Sequence, residues 1–297
     1  MTRFRAELLM LSIAMAWGMS WIFMKMGLED LPVFSIVFLR FGVAFVVVAI
    51  IFLKHLKRLN AQTVLSALVS GSLLCAVVVC VLYGLGVTMA STGAFLISTT
   101  TVFVACFQAL LVKKLPGLDV IIATLCCVLG VAFLSNANLE EFDIGSLWIV
   151  FAAFLNALYI VFVGWAGKKE AVDSLNMGII QLGVAGVIAG VASLVTSTLV
   201  IPSTVNGWVA VLGLALVCTA YCFVLQPVVQ VYSTPERTGI IWSTESLFSA
   251  IFAFILLGEV LSGGNIFGAT LIMSGVVIAL IDWKKFRKIA LFLPDKS

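Results

Sequence analysis

Residues 243–256 read STESLFSAIFAFIL, and residues 98–111 read STTTVFVACFQALL. Laid one over the other, Ser98-Thr99 falls on Ser243-Thr244, Phe103 on Phe248, Ala105 on Ala250, Phe107 on Phe252 and Leu111 on Leu256. The same offset continues through the next segment, placing Ile121 on Ile266 and Gly130-Val131 on Gly275-Val276. Apolar sequences match by chance over short windows, but one register held across two segments and the loop between them marks an internal repeat. Weaker matches at slightly different offsets put Phe23 on Phe162 and Arg40 on Gln181.

The repeat is written in apolar segments long enough to cross a bilayer. Hydrophobic residues are 63% of the 297 and charged residues 10%, more apolar surface than one soluble core of this length could hide. A spanning helix needs about 20 mostly apolar residues. Ten such segments fit, near Leu8–Gly27, Val33–Leu53, Val64–Gly86, Thr92–Leu111, Leu118–Ser135, Gly145–Trp165, Leu175–Leu199, Trp208–Tyr232, Thr238–Leu257 and Gly264–Ile281. The expected fold is therefore an all-α integral membrane protein. Its connections are too short for a soluble domain.

Charge placement supports that count. With ten spans, Arg3 and Arg5, Lys54 to Arg58, Lys113 and Lys114, Lys168 and Lys169, Arg237 and Lys284 to Lys288 all fall on one side, and only Lys25 and Arg40 escape. The positive-inside rule makes that side cytoplasmic and puts both termini there. Glu29, Asp30, Glu140, Glu141 and Asp143 fall opposite. The basic tail suits anionic lipid headgroups better than nucleic acid, and no nucleic-acid partner is expected. Ala14-Met15-Ala16 mimics a signal-cleavage site, but the apolar stretch runs on unbroken to Gly27, so the segment is expected to be retained.

Five spans per copy is an odd number, so the second copy enters the membrane inverted relative to the first. Two such halves pack around a site near the midplane and rock to expose it to each side in turn. The expected division is residues 1–136 as the first five-helix repeat, 145–282 as the second, and 283–297 as a basic tail.

Two ionisable residues, Arg40 and Glu245, are left deep inside apolar segments, where a charge costs roughly 2.5 to 3.5 kcal/mol without a partner or a wet cavity. Glu245 lies about 12 Å along a helix from Arg237, and Arg40 about as far from Pro32 on the opposite side. The two levels are close enough for contact across a hydrocarbon core of about 30 Å. Arg40 and Glu245 are thus candidates to line a central cavity, the guanidinium for a substrate carboxylate and the carboxylate for an amine or a proton. A structural ion pair locking the second span to the ninth is the competing role. Thr238, Trp242, Glu245 and Ser249 share one face of the ninth span, and Thr219, Cys222, Gln226 and Gln230 share one on the eighth. Pro227, inside the eighth span, is a candidate hinge because it removes a backbone hydrogen bond. Trp17, Trp21, Tyr83, Tyr159, Gln181 and Tyr221 complete the candidate substrate-binding set, the rings offering apolar bulk with a polar handle.

No metal or cofactor is expected. The one histidine, His55, sits in a basic loop, the seven cysteines lie in spans as small hydrophobes, and no Gly-rich phosphate loop appears. Gly264 to Gly268 and Gly186 to Gly190 allow close helix approach, so a monomer or a weak homodimer is expected.

The chain resembles the drug/metabolite transporter superfamily, in particular its ten-helix branch built from two EamA domains. Ala16-Trp17-Gly18, Phe38-Leu39-Arg40-Phe41, Phe254 to Val260 with Leu257-Gly258-Glu259, and the Gly275-containing last span carry the resemblance. The first repeat departs from it, carrying Val112-Lys113-Lys114 where the second has Leu257-Gly258-Glu259. The resemblance implies a secondary transporter, an exporter of amino acids or related small amphipathic metabolites, in a bacterial cytoplasmic (inner) membrane; with no phosphate loop for ATP, a proton gradient, coupled through Glu245, or a substrate gradient is the expected energy source. It implies no enzyme activity. The alternatives are a membrane-embedded enzyme on lipid-linked substrates with Glu245 as base, and a non-transporting scaffold.

Overall fold

Long apolar runs free of breakers become long helices, and punctuation falls where proline or a capping side chain interrupts them. The computed structural model describes residues 1–56, 59–88, 90–134, 143–257 and 263–280. Its helices are α1 (Arg3–Asp30), α2 (Val33–Ile51), α3 (Leu53–Leu56), α4 (Ala61–Leu85), α5 (Ala90–Ser98), α6 (Thr100–Val112), α7 (Leu118–Leu134), α8 (Ile144–Ala166), α9 (Ser174–Val195), α10 (Val205–Leu212), α11 (Cys222–Gln230), α12 (Pro235–Trp242), α13 (Thr244–Leu257) and α14 (Gly263–Leu280). A π-helical segment, Gly213–Tyr221, joins α10 to α11. Among the described residues there is no strand. The Gly258-Glu259 part of the Leu257-Gly258-Glu259 motif, the Lys57-Arg58 pair and the tail 283–297 lie outside the described residues.

Among the described residues, six stretches are long and apolar enough to cross a membrane: Arg3–Asp30, Val33–Ile51, Ala61–Leu85, Ile144–Ala166, Ser174–Val195 and Val205–Gln230. Leu96–Val112, Leu118–Phe133 and Gly263–Ala279 are shorter apolar helices. The segments expected as single helices at 92–111, 208–232 and 238–257 run on as helix but are locally irregular: Thr99 (φ −61°, ψ −13°) and Ser243 (φ −59°, ψ −18°) stay helical while the ladder loosens around them, and Gly213–Tyr221 is π-helical.

Local chemistry explains the ends. Leu31, preceding Pro32, is forced to extended backbone (φ −135°, ψ 142°) and stops α1. Asn60 caps α4 by accepting from the Thr63 N–H at 2.7 Å, and Thr234 caps α12 with Pro235 in its first turn. Asp143 and Ser146 form a capping box at the start of α8, and the Thr88 hydroxyl donates to the same carboxylate.

Polarity is arranged inside out. Ser35, Gln181, Thr219, Gln226, Gln230 and Thr238 are fully buried, while Ile50, Leu110 and Val195 are at least 70% exposed on the outer surface. Where lipid is the solvent, apolar burial no longer drives helices together, and close packing and polar contacts must. The repeat-paired glycines show this: a Cβ on Gly130 would lie 2.7 Å from the Gly268 carbonyl of α14, and one on Gly275 2.7 Å from the Ala123 carbonyl of α7. The backbones of α7 and α14 touch because neither position carries a side chain.

Helix α2 packs along α9, α4 against α8 and α9, α1 against α13, α6 against α8, and α2 against the π segment. Exchanging the halves turns the α1 and α13 contact into that of α8 and α6, and the α4 and α9 contact into that of the π segment and α2. The α7 and α14 contact maps onto itself.

The Thr88 hydroxyl, then the Ser146 N–H, hold the Asp143 carboxyl below the usual carboxylate range. A depressed native pKa gives stability that is complete above the unfolded value of about 3.9 and is lost as pH falls through the lower native one. Asp143→Ala should therefore lower the melting temperature at pH 7, and the gap to wild type should narrow in melts run below about pH 4.

Candidate functional site

The site forms where the two loosened helices cross. At the end of α12 the Ser243 N–H reaches both Gly239 O (3.1 Å) and Ile240 O (3.2 Å), and its hydroxyl donates to Gly239 O at 3.2 Å. One residue on, the Thr244 hydroxyl donates to Ile241 O at 2.7 Å. Its repeat partner Thr99 does the same to Leu96 O at 2.6 Å. Hydroxyls bonding back to the preceding turn compete with the helical ladder and loosen it, at matching places in both copies. Thr101 then links the two irregular points, donating to Gly239 O (3.2 Å) and lying 2.9 Å from the Ser243 hydroxyl.

Beside this crossing is a cavity of about 40 Å³, lined by Trp17, Ile97, Ser98, Thr100, Thr101, Asn156, Ile160, Gly239, Trp242, Ser243, Glu245 and Ser246. Glu245 is the single ionisable residue of that lining. That volume holds only a few waters. An organic molecule can occupy it only if the lining helices part.

Helix α1 supplies the aromatic wall. A Cβ on Gly18 would lie 2.8 Å from the Phe248 Cβ and Ser249 N of α13, so glycine there lets α1 press onto α13. The approach brings Trp21 to Glu245, its indole N–H donating to Oε1 at 2.7 Å. Trp17 stands edge-on to Trp242, ring centroids 5.1 Å apart, and its own N–H donates to the Cys218 carbonyl at 3.1 Å in the π segment. Trp242 is 6% exposed, and its buried Nε1 finds no acceptor among the described residues.

The structure does not bring Arg40 to this cavity. Among the described residues, no ion pair within 4.0 Å joins it to Glu245. Arg40 is 3% exposed and faces the π segment, where Nε donates to the Thr219 hydroxyl at 2.6 Å and the guanidinium lies over Phe41 and Phe223 at 5.6 and 5.9 Å. The two side chains rest on different partners, Arg40 on Thr219 and Glu245 on Trp21.

Tyr159, Gln181 and Gln226 form a third buried cluster around Pro227. Proline has no N–H, so the carbonyl four residues back, on Phe223, loses its helical donor. Gln181 Nε2 supplies one at 2.7 Å. Tyr159 donates to Gln181 Oε1 (3.2 Å) and Gln226 Oε1 (3.3 Å), and Gln230 Nε2 donates to the Ile160 carbonyl. Tyr83 and Tyr221, also in the expected set, are not among the residues lining this cavity. Tyr83 is 41% exposed against Phe34 and Trp148, and Tyr221 is 43% exposed beside the Ser12 hydroxyl at 2.7 Å. Aromatic character on a span marked both as candidates, but the face each occupies points away from the cavity. Sequence reasoning missed Thr100, Ser246 and Gly239 as lining; the dense run of hydroxyl residues at 98–101 and 243–246 is the signal that could have found them.

An apolar outer surface, apolar helices of spanning length and an internal polar site beside irregular helices define a multi-pass membrane protein. The family model described as the EamA-like transporter family matches residues 4–136 and again 143–281. The chain belongs to that family. It is similar to two uncharacterized transporters of Archaeoglobus fulgidus, 28% identical over 92% of this chain and 96% of the relative, and 25% identical over 93% and 86%. A solved structure described only as a crystal structure of a protein superposes with a TM-score of 0.79 at 14% identity, covering 96% of this chain and 99% of that one. That likeness concerns the fold alone.

Proposed function

We propose that this membrane transporter is a secondary carrier of small organic metabolites that works by alternating access, with Glu245 as the charged group of its substrate site. The observation that carries the reading is a lone carboxylate in a small buried cavity flanked by Trp17, Trp21 and Trp242, where two helices loosened by their own hydroxyls meet. Irregular helices meeting at a polar site are a recurring construction of secondary carriers. Ten spans in two oppositely oriented halves, 1–136 and 145–282, with a tail 283–297, fit this construction. The double family match and the exchange symmetry of the helix contacts support that division. Rocking would part α1 from α12 and α13. Trp17, Trp21, Trp242 and Glu245 form the substrate wall, Arg40 positions the π segment, and Tyr159, Gln181, Gln226 and Pro227 form the seam on which α11 moves.

Export from the cytoplasm, amino acids or related amphipathic metabolites as cargo, proton coupling through Glu245, a bacterial cytoplasmic membrane and cytoplasmic termini complete the proposal. They rest on the resemblance and on the loop charges. The test is counterflow of labelled amino acids and amines into liposomes holding purified protein. Uptake above protein-free liposomes sustains a carrier, and none with any of the panel removes the substrate class.

Trp242 allows a sharper check. Its indole N–H has no acceptor to lose among the described residues, so Trp242→Phe should lower ligand-free stability only by the packing lost against Trp17, about 1 kcal/mol. Transport affinity should fall roughly five- to ten-fold as a substrate acceptor loses its donor. Unchanged affinity would show that the N–H does not face the substrate.

A further inference from the structure

On the lipid-facing side, away from the cavity, α2, α4 and α9 border an open groove of about 940 Å³ whose walls include Phe38, Val46, Leu68, Val184 and Val187. Its size falls within the range of about 300–1,000 Å³ typical of sites that enclose a small molecule. Its floor exists because Gly42, Gly183 and Gly186 carry no side chains. Val46 and Val187 are more than half exposed, so the groove opens to the surroundings. The single hydroxyl in its lining, Ser72, is already spent on the Leu68 carbonyl at 2.8 Å, leaving a trough with nothing to offer a polar ligand along its length.

One end differs. Leu56 and Leu59 close the trough at α3, where Lys54 is exposed on the same short helix. His55 beside it is engaged by Asp173 at 3.0 Å. The loop bearing exposed Lys168 is tied to the start of α4, Asn60 Nδ2 donating to the Ala171 carbonyl at 2.7 Å and the Asp173 N–H to the Thr63 hydroxyl at 3.0 Å. An apolar trough with cations at one mouth is complementary to a ligand with an anionic head and a hydrocarbon tail.

We propose that this groove binds one anionic glycerophospholipid, an acyl chain lying along Gly42, Val46 and Val187 and the phosphate held by Lys54 at the α3 end. The site is separate from the carrier cavity and stands whether or not that cavity transports.

Native mass spectrometry of the full chain in detergent, titrated with phosphatidylglycerol and with phosphatidylcholine of identical acyl chains, tests it. Phosphatidylglycerol should be retained with at least about five-fold preference, and Lys54→Gln should erase about five-fold of its affinity. Gly42→Leu should lower retention of both lipids by filling the trough. A Cβ there meets only the Phe38 ring edge at 3.9 Å, so the first carbon of the new side chain displaces no backbone. Val46→Trp fills the same space from an outward-facing position and serves should Gly42→Leu not fold, with circular dichroism and gel filtration as the control. Equal retention of the two lipids, or retention unchanged in a folded groove-filling variant, overturns the proposal. So does a dimer mass that lipid does not disturb and Val46→Trp abolishes, since the occupant would then be a second copy of the chain.

Discussion

Glu245→Gln should reduce counterflow in liposomes by roughly ten- to a hundred-fold while leaving the purified protein folded, the range expected when a charge-assisted contact worth about 1.5 to 3 kcal/mol is removed. Glutamine keeps the shape of the side chain and an oxygen able to accept the Trp21 N–H, so the 2.7 Å link between α1 and α13 survives. What is lost is the negative charge, and no other ionisable residue lines the cavity to replace it. Trp21→Phe separates the two roles from the other direction: it keeps the charge, removes the donor that orients it, and should lower transport less. If protons couple through the carboxyl, wild-type transport varies with pH and the Gln variant's residual transport is flat over the same range. Wild-type rates in a folded Glu245→Gln protein would remove the carboxylate from the mechanism. Arg40→Gln is the informative companion. Its guanidinium faces Thr219 and Phe223 rather than the cavity, so this variant should lose melting temperature through the unbraced π segment before it loses substrate affinity.

The placement of the long helices was legible because hydrophobic length is a one-dimensional property, and α1, α2, α4, α8 and α9 lie where the apolar runs lie. The irregularities were not. Thr99 and Ser243 have helical backbone angles or a helical hydrogen-bond partner, and a hydroxyl in an apolar run has the same sequence signature whether it faces a neighbour or bends its own helix. The π segment has no compositional mark at all, since a hydrogen bond five residues back selects no residue type. The repeat register nonetheless pointed at the crossing, for Ser98-Thr99 and Ser243-Thr244 are its anchor. Depth was legible for Arg40 and Glu245, but depth along a helix says nothing of the direction around it. Arg40 turns toward Thr219 and Glu245 toward Trp21 because α2 packs on the π segment while α13 packs on α1. Tyr83 and Tyr221 illustrate the same point, lying on spans that reach the site without lining its cavity.

The cluster around Pro227 supports the second large effect, and it is a coupled one. Gln181→Leu should lower stability by about 1 to 3 kcal/mol, because it leaves the buried Phe223 carbonyl without a donor and deprives the Tyr159 hydroxyl of one of its two acceptors. Gln181 is fully buried, and lipid supplies no replacement for the lost N–H. Pro227→Ala restores an N–H four residues after Phe223, and in that background the glutamine's donor is redundant. Gln181→Leu should then cost less, so the two substitutions couple, with the double variant more stable than the sum of the singles predicts. Thermal melts of the four proteins measure that coupling directly. Additive losses would mean that residue 227 does not control the Phe223 carbonyl, and Gln181 would then matter only through Tyr159. The cycle also bears on movement: if α11 turns at the seam during transport, Gln181 must release and recapture that carbonyl. Pro227→Ala, by closing the gap with a fixed helical bond, should then slow counterflow while raising the melting temperature.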